Sequence, residues 1–117
     1  MTTILIVEDE APIREVLAET LRDEGYAVFV ASNGAAALVI VAERRPDLVL
    51  TDVMMPGLDG LGLLRRLRAD SGTAAIPVVV TSAAQHPSPG DLDGAKFLPK
   101  PYDLDDLLRA VRDGLRG

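Results

Sequence analysis

The sequence contains no cysteine, and this absence excludes several kinds of chemistry at once. A chain without cysteine has no disulfide framework, no thiolate nucleophile and no cysteine-based zinc site. It also has no apolar run near the roughly 18 residues that a membrane span requires, so we expect no membrane association. The first residues, MTTILIVEDE, lack the basic region and long apolar stretch of a secretory signal. These absences together predict a cytoplasmic protein.

Positive charge is scarce as well. The chain has 12 Lys and Arg against 18 Asp and Glu, which gives a net charge of −6. Binding to nucleic acid without regard to sequence requires a basic patch, so we expect no direct contact with nucleic acid. Only Arg65, Arg66 and Arg68 lie close together, and we interpret them as the solvated face of one helix.

The 117 residues suit one domain, in which strand and helix patterns alternate. Short apolar runs predict strands at residues 4–7, 26–30, 48–50, 76–80 and 95–98, the second of them at an edge of the sheet. Helical spacing or helix-end signals predict helices that follow each strand, and the last of these runs from Leu104 to Arg116. This order predicts an α/β fold, doubly wound, with a parallel sheet and helices on both faces.

Polar side chains follow four of the predicted strands. In chain order they are Glu8, Asp9, Asp52, Thr81, Ser82 and Lys100. Each has an ordinary structural explanation when taken alone; Glu8 and Asp9, for example, could cap the first helix. In a parallel sheet, however, the carboxyl ends of the strands share one edge, where ligands bind. We therefore expect these side chains to meet in one pocket.

Three carboxylates in one pocket repel one another. Two unit charges 4 Å apart repel by about 4 kcal/mol at an effective dielectric constant near 20. A divalent cation would remove that repulsion. Because the available ligands are oxygen atoms, they favour Mg²⁺ or Mn²⁺ over zinc.

Four stretches, in this order, give the chain a family resemblance: ILIVEDE, DLVLTDVMMPGLDG, IPVVVTSA and FLPKP. With them the chain resembles a response-regulator receiver domain, the phosphoacceptor module of two-component signalling, over residues 4–116. The resemblance implies five parallel strands in the flavodoxin-like order 2-1-3-4-5. We expect residues 1–117 to be a single receiver domain, with no output domain in this chain.

The resemblance also implies a role for each pocket residue. Asp52 would accept a phosphoryl group from a phosphohistidine on a sensor histidine kinase or a phosphotransfer protein, as an acceptor and not as a turnover enzyme. The ligands of Mg²⁺ (or Mn²⁺) would be Glu8, Asp9, Asp52 and the backbone carbonyl of Met54. The phosphate-binding residues would be Thr81, Ser82 and Lys100. Thr81 and Phe97 would form the switch, and the peptide bond before Pro101 would be cis.

The fourth helix departs from the family pattern. Few residues separate the fourth and fifth strands, and Pro87, Pro89 and Gly90 lie among them. Proline inside a helix costs about 3 kcal/mol or more. The best helix start is Ser88, with Asp91 in capping-box register, and Gly94 ends it. We expect a mobile helix of one or two turns, and hence a monomer or a dimer of a non-typical kind.

Two other functions compete with this interpretation. A magnesium-dependent phosphatase of the haloacid-dehalogenase type would need a second Asp two residues after the nucleophile, where this chain has Met54. A receiver-like protein that only binds partners would have a broken pocket, whereas here all the expected residues are present. His86, the only histidine, has no catalytic partner at a useful spacing and is interpreted as a solvated loop residue.

Overall fold

The computed structural model describes residues 1–83 and 86–117, and in them five strands form a parallel sheet in the order β2-β1-β3-β4-β5. The strands are β1 (Thr3–Val7), β2 (Ala27–Ala31), β3 (Leu48–Asp52), β4 (Val78–Ser82) and β5 (Lys96–Pro99). The helices are α1 (Ala11–Asp23), α2 (Gly34–Glu43), α3 (Gly60–Ala69), α4 (Pro89–Leu92) and α5 (Leu104–Arg116). The predicted fold class, strand order and edge position of β2 are confirmed.

The register of the sheet aligns the carboxyl ends of the strands. Asp52, the last residue of β3, pairs directly with Thr81 of β4. Both strands run two residues beyond their predicted ends, so Asp52 and Thr81 belong to the ladder itself. The predicted start of β4 was wrong, because the N–H of Ile76 donates to the Thr73 carbonyl in a turn (3.0 Å). The Asp52 carboxylate is thereby attached to regular, buried backbone.

Helices cover both faces of the sheet. Alternate residues of a strand point to opposite faces, so Leu5 packs towards α2 and α3 while Ile4 packs towards α1 and α5. Both side chains are fully buried. Burial of a Leu or Ile side chain contributes about 1.5–3 kcal/mol. The central strands are therefore a rigid base for the polar residues at their ends.

Side-chain caps begin α3 and α5, whereas α1 has none. Asp59 caps α3 by accepting a hydrogen bond from the N–H of Gly62 (2.7 Å), and Asp103 forms a capping box with Asp106 at α5. The N-cap of α1 is Glu10, whose side chain makes no capping hydrogen bond. Glu8 Oε2 instead accepts from the Glu10 N–H, so Glu8 does contact the start of α1, and this contact is compatible with a second role in the pocket.

The fourth helix is one turn long, as predicted. Ser88 is its N-cap, and the Ser88 hydroxyl oxygen accepts from the Asp91 N–H (3.4 Å) while the hydroxyl donates to Asp91 Oδ2 (3.0 Å). The mobility of this helix stays a prediction. Part of the predicted mobile stretch, residues 84 and 85, lies outside the described residues.

Candidate functional site

Three carboxylates meet at the carboxyl edge of the sheet. Glu8 follows β1 directly, Asp9 comes next, and Asp52 ends β3. One oxygen from each group lies within 4.8 Å of the others. Glu8 and Asp52 are buried, whereas Asp9 is exposed and leaves the cluster open to solvent. An all-oxygen, open cluster with three formal negative charges fits a hard divalent cation.

Glu8 is held in place by its neighbours. Its Oε2 accepts from the N–H of Glu10 (3.2 Å), and its backbone carbonyl accepts from Arg14 Nη1 (2.8 Å). Burial raises the pKa of the Glu8 carboxyl above its ordinary value, and the charge of Asp52 raises it further, although the Glu10 hydrogen bond opposes both. The raised pKa indicates that negative charge is costly here without a cation.

Lys100 supplies a positive charge to the same cluster. Its Nζ donates to Asp52 Oδ2 at 3.2 Å, and the N–H of Met54 donates to Asp52 Oδ1 at 3.3 Å. Both carboxylate oxygens of Asp52 are therefore oriented by hydrogen bonds from this chain. The peptide bond between Lys100 and Pro101 is cis, which confirms that prediction.

Two hydroxyl residues lie beside the carboxylates. Thr81 and Ser82 end β4, and both are buried. Thr81 is the direct neighbour of Asp52 across the ladder. Phe97 lies on β5 and pairs with Val80, the residue that precedes Thr81 on β4. The structure thus brings the three carboxylates and the Lys100 ammonium together and places Thr81 beside Asp52 in the ladder, while Ser82 and Phe97 lie on the neighbouring strand positions.

His86 lies against Phe97, which the sequence did not indicate. The two ring centroids are 5.5 Å apart and the planes meet at 71°, an edge-to-face arrangement. His86 is exposed, as predicted, but it is in contact with another ring instead of standing free in the solvent. No sequence pattern signals such a contact.

Gly60 allows α3 to begin directly against the end of β3. A Cβ at this position would collide with the backbone carbonyl of Asp52. The Gly60 N–H donates to the carbonyl of Val53, the residue after Asp52, at 3.0 Å. This hydrogen bond fixes the start of α3 beside the end of β3. A sequence signal did exist, since Gly60 follows the capping Asp59, but it was not used in the prediction of the site.

An apolar groove lies next to the pocket, between α1 and α5. Its volume is about 330 Å³, and its lining includes Ile13, Val16, Tyr102 and Leu104. The pKa of the Tyr102 phenol is raised by burial and, to a smaller degree, by the charges of Glu8 and Asp52. Tyr102 therefore lines the groove and also lies within electrostatic reach of the acidic cluster.

Comparison with known proteins agrees with this geometry. Residues 4–112 match the family described as the response regulator receiver domain. The response regulator MprA of Mycobacterium sp. (strain KMS) is 40% identical over 115 residues, which cover 97% of this chain and 50% of MprA. The phosphate regulon transcriptional regulatory protein PhoB of Pseudomonas aeruginosa is 37% identical over 119 residues, which cover 97% of this chain and 52% of PhoB.

Solved structures show the same fold. The chemotaxis response regulator CheY4 of Vibrio cholerae superposes with a TM-score of 0.88 at 29% identity, over 97% of this chain and 98% of that one. The signal receiver domain of a signal transduction histidine kinase from Syntrophus aciditrophicus gives 0.89 at 33% identity, over 100% and 92% of the two chains. The chain spans about half the length of the curated relatives it matches. Within the described ranges, no helix is both long and apolar enough to cross a membrane.

Proposed function

Because this chain belongs to the receiver domain family of response regulators, we propose that Asp52 accepts a phosphoryl group from a phosphohistidine of a partner protein. The observation that carries the proposal is the position of the Asp52 carboxylate. It is buried at the end of β3, contacts the Lys100 ammonium, and lies within 4.8 Å of two further carboxylates. A buried carboxylate in such a cluster is costly, and phosphoryl transfer gives it a use.

The reaction moves one phosphoryl group between two nucleophiles. A carboxylate oxygen of Asp52 attacks phosphorus, the P–N bond to the donor histidine breaks, and the bonding electrons leave with the imidazole, which takes up a proton. The product on this chain is an acyl phosphate. Phosphoryl transfer depends chiefly on positioning and charge stabilisation, and the hydrogen bonds from Met54 and Lys100 provide the positioning.

The acidic cluster would hold the metal. We assign Mg²⁺, with Mn²⁺ as a substitute, to four ligands: Glu8, Asp9, Asp52 and the backbone carbonyl of Met54. When bound, the cation screens the negative charge that the phosphoryl group brings to the pocket. Glu8, which is buried and has a raised pKa, gains from this screening.

The remaining pocket residues would respond to phosphorylation of Asp52. Lys100 would pair with a phosphoryl oxygen, and the Thr81 and Ser82 hydroxyls would donate to others. Movement of Thr81 would be passed to Phe97, one register position away on β5. Phe97 has no hydroxyl, so its part in the switch would rest on packing. In this scheme the chain is a phosphoacceptor and not an enzyme with turnover.

The partner would be a sensor histidine kinase or a phosphotransfer protein, in the cytoplasm. The names of the relatives support this class of partner, since MprA is a response regulator. The donor must bring its histidine to the edge of the sheet, so its surface must also cover residues near the pocket. The apolar groove includes Ile13, Val16 and Leu104, and these three side chains are exposed and available to such a surface.

A small phosphodonor tests the proposal. The chain is incubated with acetyl phosphate and Mg²⁺, and its intact mass is measured. We expect one added phosphoryl group, which is absent with EDTA and absent in Asp52→Asn. Asp59→Asn is the matched control, because asparagine also caps a helix. Labelling of Asp52→Asn equal to that of the unmodified chain refutes the proposal.

The same incubation separates the two alternatives. Continuous release of phosphate over many turnovers indicates a phosphatase, for which Met54 stands where a second Asp is required. Neither labelling nor turnover indicates a domain that only binds partners. Beryllofluoride with Mg²⁺ gives an independent reading, since it occupies an acceptor aspartate without forming a covalent bond.

A further inference from the structure

The one-turn helix α4 has few contacts of its own. Pro89, Gly90 and Asp91 are exposed, and only Leu92 is partly buried against the core. Isolated helices shorter than about 12 residues are marginal in water, so α4 cannot depend on its own hydrogen bonds. Something outside the helix must determine where it lies.

Arg68 provides that contact. The sequence placed it on a solvated helix face together with Arg65 and Arg66. That prediction holds for Arg65 and Arg66, which are exposed, and is wrong for Arg68, which is partly buried. Arg68 Nε donates to the backbone carbonyl of Asp93 at 3.0 Å, immediately after α4.

The other end of the same guanidinium is fixed as well. Arg68 Nη1 donates to the carbonyl of Ile76 at 2.6 Å and to that of Ala74 at 3.1 Å. One side chain on α3 therefore joins the end of α4 to the connection that leads into β4. A guanidinium can do this because its donors lie in a rigid plane and point in several directions, whereas the ammonium of lysine is a single point.

The backbone conformation of Asp93 is consistent with a contact from outside α4. Its φ of 44° and ψ of 53° are left-handed, a conformation that costs a residue with a Cβ about 1 kcal/mol or more. Gly94 follows with a φ of 81°, which glycine adopts freely. Aspartate adopts this conformation more readily than most residues with a Cβ, and the carbonyl that Arg68 binds belongs to this residue.

We propose that Arg68 is a positioning residue that fastens α4 to α3. The proposal stands on the three hydrogen bonds of its guanidinium. Helix α3 begins at Gly60, against the carbonyl of Asp52. This clamp, the set of Arg68 hydrogen bonds, therefore fixes α4 relative to β3 through α3. This route does not include the chain segment between Thr81 and α4.

Amide exchange measured by NMR tests the clamp without any ligand. The reporters are the N–H groups of Asp91, Leu92 and Ala95, which donate to carbonyls of Ser88 and Leu92. In Arg68→Met we expect these amides to exchange about tenfold faster or more, the factor that loss of a hydrogen bond to a charged group implies. Arg66→Met, on the same helix but exposed, should leave them unchanged.

Reference amides separate a clamp from general destabilisation. Leu64 of α3 and Val79 of β4 are fully buried and report global opening. If their exchange accelerates as much as that of the α4 amides in Arg68→Met, Arg68 has an ordinary stabilising role and the proposal fails. Arg68→Lys, which keeps the charge but loses the planar fork, should resemble Arg68→Met.

A second variant tests the geometry at Asp93. Asp93→Gly keeps the carbonyl and removes the cost of the left-handed conformation, so exchange in α4 should stay the same or slow. If it accelerates as in Arg68→Met, the Asp93 side chain holds α4 and the proposal is overturned.

Discussion

Lys100 and Asp52 are 48 positions apart in the chain, and the Lys100 ammonium lies 3.2 Å from Asp52 Oδ2. The side chains are 24% and 11% exposed, so the pair is neither fully buried nor freely solvated. It brings one positive charge against three carboxylates. The Lys100 ammonium thus partly neutralises the charge of the cluster and holds Asp52 Oδ2 in a fixed direction.

Loss of this pair should destabilise the metal-free protein. Lys100→Met removes the cation and leaves the Asp52 charge among like charges, so we expect unfolding to become easier by about 1–3 kcal/mol, between the values for exposed and buried pairs. Urea denaturation in EDTA measures the change. Lys96→Met, an exposed lysine of β5, is the control. A cost no larger for Lys100→Met than for Lys96→Met contradicts the prediction.

Magnesium should stabilise the fold because it relieves repulsion in the cluster. At a free concentration 100 times the dissociation constant, binding adds about 2.7 kcal/mol to the free energy of unfolding. Asp9→Asn should lose most of this gain, and Asp23→Asn, at the far end of α1, should keep it. The measurement is the denaturation midpoint with and without Mg²⁺. An undiminished gain in Asp9→Asn shows that the cation binds elsewhere.

Replacement of Gly60 by alanine should harm the protein, although alanine normally favours a helix. The added Cβ collides with the Asp52 carbonyl, so α3 or β3 must shift, at a cost of about 1–3 kcal/mol. Gly90→Ala is the control, since nothing lies within 4 Å of its Cβ position. Thermal denaturation gives the stabilities, and labelling by acetyl phosphate should slow only in Gly60→Ala. Equal behaviour of the two variants means that the close approach is unimportant.

Tyr102 should make the protein sensitive to alkaline pH. The pKa of its phenol is raised above the ordinary value of 10.0, so the unfolded chain loses the proton first as the pH rises. Its contribution to stability is complete below pH 10 and is lost as the pH climbs towards the folded pKa, by at most about 1.4 kcal/mol per pH unit. Tyr102→Phe should lack this loss. Urea denaturation of both proteins from pH 9 to 11 checks it, and parallel curves rule it out.

We expect the chain to remain a monomer, with or without beryllofluoride, or to dimerise without α4. A stable interface buries about 1,200–2,000 Å² in total, and a four-residue helix contributes little to such an area. Sedimentation velocity over a range of concentrations measures the association state. A dimer that forms on loading and dissociates when Leu92 is replaced by aspartate would contradict the prediction.

The sequence predicted the pocket because its residues are tied to strand ends. Apolar runs located the strands, and a parallel sheet leaves their carboxyl ends only one common edge, so Asp52 and Lys100 had to approach each other. The short α4 was equally predictable, since Ser88, Pro89 and Gly94 act on the backbone within a few residues. Such local and periodic effects can be deduced from a single sequence.

Other contacts could not be predicted in this way. Arg68 binds three backbone carbonyls, and every residue has a carbonyl, so its partners leave no trace in the sequence. The contact between His86 and Phe97 depends on the path of a loop. The predicted start of β4 was two residues early because Ile76, although apolar and buried, closes a turn instead of entering the ladder. In each case tertiary structure decided among options that the local sequence left equal.

The register of the sheet has a consequence for folding. The acidic cluster and its lysine extend from Glu8 to Lys100, and they meet only when β1, β3, β4 and β5 lie side by side. Each of these pairings joins segments far apart in the chain, which makes them slow steps. The proposed cation ligands lie at the ends of β1 and β3, so a partly folded chain without this pairing cannot hold them together. The affinity for Mg²⁺ therefore reports the β1–β3 pairing: during refolding it should appear in one step, when these two strands are joined, and not grow gradually with helix content.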